Sequence, residues 1–182
     1  MAHDIGMNGL SVGVASRNEV DWMIRRHYLQ RWPGVVMLTL ALRREKRAVG
    51  VMVFALPPRE TAVRYGGVTW ELARLWVEDA EPRNTESWFI ARAVRYIRTT
   101  CHSVKILVSY ADPSQGHAGT IYKASNWVLD GRTDAERVTP RSDYLVTRAD
   151  VLFPQFATRK YSRASHVPEG AAVVTVTRVS KH

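Results

Sequence analysis

The stretch Ser109-Tyr-Ala-Asp-Pro-Ser-Gln-Gly-His-Ala-Gly-Thr-Ile-Tyr-Lys-Ala-Ser-Asn-Trp127 gathers an acid, hydroxyls, amides, an imidazole and a phenol within a few residues. The run before it, Val104-Lys-Ile-Leu-Val-Ser-Tyr110, is rich in β-branched and aromatic residues and reads as a buried strand. Residues 118–129 read as a helix closed by Asp130-Gly131. In an open α/β sheet, the turn that follows a strand's C-terminal end opens onto the crevice where ligands bind. Asp112 starts this turn, and two roles fit it. It can accept a proton or hydrogen bond from an attacking amine, or it can nucleate an Asx-turn ahead of Pro113. Spacing alone favours the turn. Ser114 and His117 stand in the same segment as candidate substrate contacts.

Tyr122 and Asn126 are four residues apart and would project from one face of the expected helix. Tyr122 fits a proton donor and a buried, satisfied phenol equally well. Upstream, Val68–Val77 alternates, with Trp70, Leu72, Arg74 and Trp76 on one face of a strand and Glu71, Ala73, Leu75 and Val77 on the other. An arginine among large apolar side chains must reach water or meet an anion, because burying it unpaired is costly. A ligand carboxylate, carbonyl or phosphate would serve, and so would a structural pairing with Glu78 or Asp79. Strict alternation sends Glu71 to the opposite face. His27-Tyr28 end the first expected helix with His27 on its apolar stripe, a place where a satisfied core histidine is commoner than a base or a ligand. There is no HExxH or paired-carboxylate motif, and the remaining histidines are scattered. A metal on His27 and Asp112, with His117 or a tyrosine, is a set that the spacing permits without demanding it.

A chain of 182 residues, 46% hydrophobic, has the length and composition of one globular domain with a core. Its single cysteine, Cys101, excludes an internal disulfide and a cysteine-built zinc site. The apolar runs Val35–Leu42 and Ala48–Leu56 are strand-length, far short of the ~18 residues of a membrane span. The N-terminal residues lack the basic-then-apolar pattern of a secretory signal, so a reducing, cytoplasmic setting is expected. A net charge of +9 favours polyanionic partners, nucleic acid first, with ordinary solubilising charge as the plainer alternative.

Three parts are expected: a flexible arm over 1–15, a catalytic domain over 16–150 and a basic extension over 151–182. Ser16 with Glu19 has capping-box spacing and opens a helix carrying Val20, Met23, Ile24 and His27. Val35–Leu42 and Val49–Leu56 read as a hairpin across Arg43–Arg47. Arg83-Asn-Thr-Glu-Ser87 opens a second helix with Phe89, Ile90, Ala93, Val94 and Ile97 on its buried face. Ser142–Thr147 and Ala171–Val179 read as further strands. The order predicts an α/β fold with a mixed, largely antiparallel central sheet, helices on both faces and a cleft between the two central strands. That is also the order of the GNAT acyltransferase superfamily, a likeness of fold and not of function. GNAT enzymes hold the coenzyme A pyrophosphate on a glycine-rich turn at the start of a helix. Here Val77-Glu-Asp-Ala-Glu-Pro-Arg-Asn84 has no glycine and carries Glu78, Asp79 and Glu81, which disfavours standard acetyl-CoA binding.

The blocks His27-Tyr-Leu-Gln-Arg-Trp-Pro33, Leu72-Ala-Arg-Leu-Trp-Val77, Arg83-Asn-Thr-Glu-Ser87 and Ser109-Tyr-Ala-Asp112 through Gly116-His117 to Tyr122-Lys-Ala-Ser-Asn-Trp127 resemble the Mom family of phage DNA-modification proteins. The resemblance runs in order over about residues 18–131. It implies a GNAT-like fold that converts adenine in double-stranded DNA to its N6-carbamoylmethyl form, so that phage DNA escapes host restriction. His27, Tyr28, Arg74, Asp112 and Tyr122 match the family's proposed functional set. A bound iron is among the family's proposals, while the donor of the carbamoylmethyl group and the oligomeric state stay unassigned. The Lys181-His182 end, with no further strand, departs from the family pattern.

In that scheme Asp112 takes a proton from the adenine N6 amine, whose lone pair is delocalised into the ring. Arg74 holds the donor's amide oxygen or carboxylate through its planar fork. Tyr122 steadies the leaving group or the target base, and His27 and Tyr28 complete the pocket or hold a metal. Asn84, Ser114, His117 and Asn126 are candidate substrate contacts. Arg92, Arg95 and Arg98 along the second helix, with Arg159, Lys160 and Arg163, are candidate phosphate contacts whose alternative is a solvated face. Two other functions compete: an acetyl-CoA-dependent N-acetyltransferase of a small amine or protein, and a basic DNA-binding module without catalysis. An Asp112→Asn variant should keep its fold and DNA affinity and lose modification; full levels of modified adenine in nucleosides from expressing cells would remove Asp112 from the mechanism.

Overall fold

The computed structural model describes residues 7–65, 68–111 and 119–132, with 173–178 as backbone. Leu10–Val14 (β1) pairs antiparallel with Val36–Arg44 (β2), Leu10 opposite Arg44 and Val14 opposite Leu40. The sequence puts these residues in a flexible arm, so their place in the sheet is a correction: Leu10, Val12 and Val14 alternate with Ser11 and Gly13, and Leu10 and Val12 pack against the core. Arg43 Nη2 donates to the Val14 carbonyl, and Arg44 Nη1 to that of Asn8, which ties the strand down. β2 returns through Glu45-Lys46 into Arg47–Ala55 (β3), with Glu45 in the left-handed region at φ 56°. The turn is therefore shorter than the charged stretch suggested, and Arg43, Arg44 and Arg47 belong to the strands.

Among the described residues, seven strands form one sheet in the order β1-β2-β3-β4-β5-β7-β6, where β4 is Val68–Val77, β5 Val104–Ala111, β6 Val128–Arg132 and β7 Val173–Arg178. Every neighbouring pair is antiparallel except β4 and β5, which are parallel. A parallel pair needs a crossover, and it is supplied by the helix Thr85–Thr100 (α3). α3 buries Phe89, Ile90, Ala93 and Ile97 against Leu40, Met52, Phe54, Trp70, Leu72 and Leu107 on one face of the sheet. Arg17–Ile24 (α1) covers the other face, with Val20, Met23 and Ile24 packed on Ala41, Val51 and Val53. Ser16 and Glu19 form the expected capping box, and Arg43 draws the Glu19 carboxyl down to about 2. The mixed sheet with helices on both faces is the expected architecture.

Two elements differ from expectation. Arg59–Tyr65 (α2) has no counterpart in the sequence reading, being too short for a helical period to show. The helix read over 118–129 is only Thr120–Ala124 (α4); Asn126 adopts φ 61° and turns the chain into β6. Asp130-Gly131 therefore sits within a strand rather than closing a helix. Ser142–Thr147 lies outside the described residues, while the late strand over 171–179 is present as β7.

The two unforeseen elements meet. Asp130 is buried and accepts Arg64 Nη2 at 2.7 Å and the Tyr65 hydroxyl, joining α2 to β6. Breaking a buried ion pair from one side is strongly destabilising because the remaining charge keeps its desolvation cost. Asp130→Ala should lose roughly 3–5 kcal/mol, measured by urea unfolding; a loss within the noise would show that water reaches this pair.

Candidate active site

The ladder between β4 and β5 ends early. It runs from Val68 opposite Val104 to Glu71 opposite Val108, after which β4 stays with β3 and β5 with β7. The parted strands leave a cleft of about 470 Å³ lined by Leu72, Ala73, Leu75, Trp76 and Val77 on one side and Tyr110 and Ala111 on the other. Gly119–Tyr122, His27, Tyr28, Asp79 and Glu86 complete its wall.

At the parting, Ser109 Oγ lies 3.0 Å from the Leu72 carbonyl and 2.7 Å from the Tyr122 hydroxyl. A side chain thus bridges the strands where the backbone ladder stops. Tyr122 is buried, with its ring 5.3 Å from that of Trp127, which also packs in the core. Burial pushes the Tyr122 phenol up to about 12, opposed by the Ser109 hydrogen bond. The phenol keeps its proton at neutral pH, which suits a proton donor and not a base. Tyr110 Oη is 2.7 Å from Thr61 Oγ1 of α2, and burial raises its pKa as well.

The segment after α1 closes the other wall. His27 and Tyr28 follow the helix, which ends at Ile24, rather than belonging to it. The His27 backbone N–H donates to the Met23 and Ile24 carbonyls, and His27 Nδ1 accepts the Leu29 N–H at 3.2 Å. The imidazole is buried and stacks on the Tyr28 ring with centroids 4.5 Å apart. Any further use of His27, as ligand or base, falls to Nε2.

Arg74 is buried next to the cleft but is not part of its lining. Its Nε donates to the Arg31 carbonyl at 3.1 Å and its Nη1 to the Ala73 carbonyl at 2.6 Å. Among the described residues no carboxylate forms an ion pair with it. The expected shared face with Trp70 and Leu72 does not hold. Val53 pairs with Arg74 while Phe54 pairs with Leu72, so Ala73 is an extra residue in β4. A one-residue bulge inverts every side chain after it. Trp70, Leu72, Leu75 and Val77 pack with α3, and Trp76 packs with α1. The same shift puts Glu71 on the Arg74 side, against the strict alternation that separates them. Burial pushes the Glu71 carboxyl up to about 7, and Arg74 opposes that rise. Burial in turn lowers the Arg74 pKa.

Of the sequence candidates, the structure brings His27, Tyr28 and Tyr122 to one cleft, with Arg74 fastening its wall from behind. Asn84 precedes α3 at φ 67° with no side-chain capping bond. Asn126 is exposed beyond α4, off the face it was expected to share with Tyr122. Arg92, Arg95 and Arg98 are exposed on α3. Asp112, Ser114, His117, Arg159, Lys160 and Arg163 lie outside the described residues; Ala111, the residue before Asp112, lines the cleft. Sequence reasoning missed Glu71 and Ser109. A lone acid and a lone hydroxyl within apolar strands were the available signals, and only the bulge and the strand parting give them meaning.

No three His, Cys, Asp or Glu among the described residues gather to hold a metal. By themselves they do not make the iron site that the family resemblance implies. The turn between β4 and α3 is acidic as expected: Glu78 pairs with Arg47 and Glu81 with Arg44, each at 2.7 Å. Asp79 and Glu86 line the cleft without an ion pair among the described residues. These carboxylates occupy the helix end where a phosphate would otherwise be favoured. No described helix is long and apolar enough to cross a membrane.

Comparison with known proteins bears on this site. The profile of the Mom protein family matches residues 11–180. The methylcarbamoylase mom of Escherichia phage Mu is 34% identical over 60% of this chain and 50% of its own length, so the chain spans half of that relative. A shorter match, 31% identical over 41% of the chain, is to the oxamate amidohydrolase proenzyme of Klebsiella pneumoniae, of which it covers 13%. Among solved structures, a spermidine N-acetyltransferase from Vibrio cholerae, in complex with CoA and spermine, superposes with a TM-score of 0.58 at 10% identity. That match covers 95% of this chain and 97% of the other, and it shows the GNAT fold alone.

The Glu71 carboxyl gives a pH test. Its folded-state pKa lies above the ordinary 4.5, so its effect on stability is felt as pH rises from about 4.5 to about 7, where the unfolded chain ionises first. Over that window wild type should lose on the order of 3 kcal/mol through this group. Glu71→Gln, which carries no charge, should therefore gain stability relative to wild type at pH 8 and little at pH 5. Parallel unfolding curves at the two pH values check it, and an equal difference at both would mean that the carboxyl titrates normally.

Proposed function

The chain belongs to the Mom protein family, and on that premise we propose that it is a GNAT-fold transferase that converts adenine in double-stranded DNA to N6-carbamoylmethyladenine, shielding phage DNA from host restriction. The observation that carries this reading is the convergence of His27, Tyr28 and Tyr122 on the cleft between β4 and β5, three of the five residues matching the family's proposed set. The relative named for methylcarbamoylation supports the chemistry.

In this scheme the N6 amine of adenine attacks the methylene carbon of a carbamoylmethyl donor. The N6–C bond forms, the bond from that carbon to the leaving group breaks, and one N6 proton goes to a base, for which Asp112 is the proposed residue. Tyr122, protonated at neutral pH, gives its proton to the leaving group, and Ser109 beside it replaces part of the charge stabilisation that burial withdraws. Tyr28 offers a partly exposed ring at the cleft, held by its stack on His27, against which a flipped base could rest. Arg74 holds the Arg31 carbonyl and so fixes the loop that bears both aromatics. If the family's iron is used, His27 Nε2 with Asp112 and His117 are the proposed ligands, and the metal would supply Lewis-acid or redox chemistry there.

The acidic turn at α3 speaks against the rival N-acetyltransferase, since Asp79 and Glu86 stand where a pyrophosphate would need donors. DNA from a host expressing the chain, digested to nucleosides and weighed, should contain carbamoylmethylated adenine, and titration with acetyl-CoA should show no saturable binding. Tyr122→Phe should lower modification by about 10²–10⁴-fold while costing only about 1 kcal/mol of stability for the lost Ser109 hydrogen bond. Unmodified adenine with tight acetyl-CoA binding would establish the rival instead.

A further inference from the structure

We infer that duplex DNA docks on the rim formed by the end of α1 and the loop through Trp32, with Arg25, Arg26 and Arg31 against its phosphates. The inference rests on the proposed function and assigns the face of the molecule that meets the substrate.

All three arginines are exposed, and none is ion-paired with a carboxylate among the described residues. The nearby acids are already engaged. Glu19 receives two bonds of 2.8 Å from Arg43 and caps α1 through Ser16. Asp21 accepts the Trp32 indole N–H at 2.6 Å and lies 3.5 Å from Arg17. The positive charge of the rim is left for an external anion.

The rim is also held in place relative to the cleft. The Arg26 guanidinium lies 3.8 Å over the Trp22 ring, and its Nη1 donates to the Trp22 carbonyl at 3.1 Å. Trp22 meets Trp76 edge to face, with centroids 6.1 Å apart, and Trp76 lines the cleft. Arg31 is anchored by its carbonyl to Arg74. Ordering these groups beforehand lowers the entropic cost of meeting a phosphate. The aromatic surface is open as well: Trp22 is 40% and Tyr28 43% exposed. Stacking faces interleaved with cations suit a nucleic acid whose base leaves the helix beside its own backbone.

The opposite side of the cleft selects against the alternative approach. Asp79 and Glu86 stand there with one exposed cation, Arg83, so two carboxylates against one guanidinium leave this end net negative and repel a phosphodiester backbone. Arg92 and Arg98, on α3, lie about 9 and 18 Å along the helix from Glu86 at ~1.5 Å per residue. A duplex held by α3 would have to cross that acidic end to reach the cleft. Charge therefore fixes the side of entry: DNA arrives over His27 and Tyr28.

The test is fluorescence anisotropy of a short labelled duplex with the full chain across a salt series. The variant Arg25→Ala/Arg26→Ala/Arg31→Ala should bind at least about tenfold more weakly near physiological salt, with the slope of log K against log salt reduced by about 2–3. The Lys version of all three should keep the slope. Because Arg26 packs on Trp22, the double variant Arg25→Ala/Arg31→Ala, altering two exposed side chains, provides a version without that packing loss and should lower the slope by about 2. Wild-type binding by either alanine variant overturns the rim, as does a slope that falls only when Arg92, Arg95 and Arg98 are neutralised. Failure of the wild-type chain to bind duplex at any salt overturns the DNA-modifying reading itself, an outcome distinct from the other two.

Discussion

Because β4 and β5 stop pairing at Glu71 and Val108, two strands in the middle of the described sheet each keep one neighbour over their last residues, and the cleft that His27, Tyr28 and Tyr122 line opens there. Unpaired backbone groups in a sheet interior are costly unless another partner meets them. Ser109 supplies one such partner, reaching the Leu72 carbonyl and Tyr122 at once. The opening is thus held by side-chain hydrogen bonds where a continuous sheet would have used backbone ones, and the phenol belongs to the structural solution as well as to the proposed chemistry.

The bulge at Ala73 is the companion constraint. It lies two residues past the last β4–β5 pair, next to Leu72, and it exchanges the faces of everything that follows. Arg74 then comes beneath the His27–Tyr28 loop, where backbone carbonyls receive two of its nitrogens. Glu71 comes to the same side in a setting that favours its neutral form. The electrostatics follow from this geometry. Arg74 is a fastener for the wall that carries the aromatics, and the cleft lining holds the carboxylates Asp79 and Glu86 at the start of α3 and, among the described residues, no lysine or arginine. A GNAT-like frame built for a nucleotide-bearing cofactor would reverse the charge of that end.

The sequence made the frame legible wherever a signal was local and repeated. The capping box at Ser16 and Glu19, the apolar stripe of α3, the β4 alternation up to Leu72 and the strand 104–111 all reflect periodicities that a single face imposes. The acidic turn was readable too, because a missing glycine and extra acids are facts of composition at one place. Arg59–Tyr65 escaped because two turns of helix carry no period long enough to detect. The helix expected over 118–129 is shorter because Asn126, a residue tolerant of left-handed backbone, turns the chain at φ 61°, five residues before Gly131. Asp130 looked like part of a helix terminus and is instead the buried partner of Arg64.

By itself the sequence determined the class of fold, the family and the residue types available for chemistry, since these depend on composition, spacing and local propensity. Only the tertiary structure decided which of those residues meet. A single inserted residue in β4 chose the faces of Glu71, Arg74 and Trp76, and the early end of one ladder made the cleft. Both depend on how strands distant in the chain align, and a one-residue change of register leaves no mark on the local pattern that sequence reasoning can see.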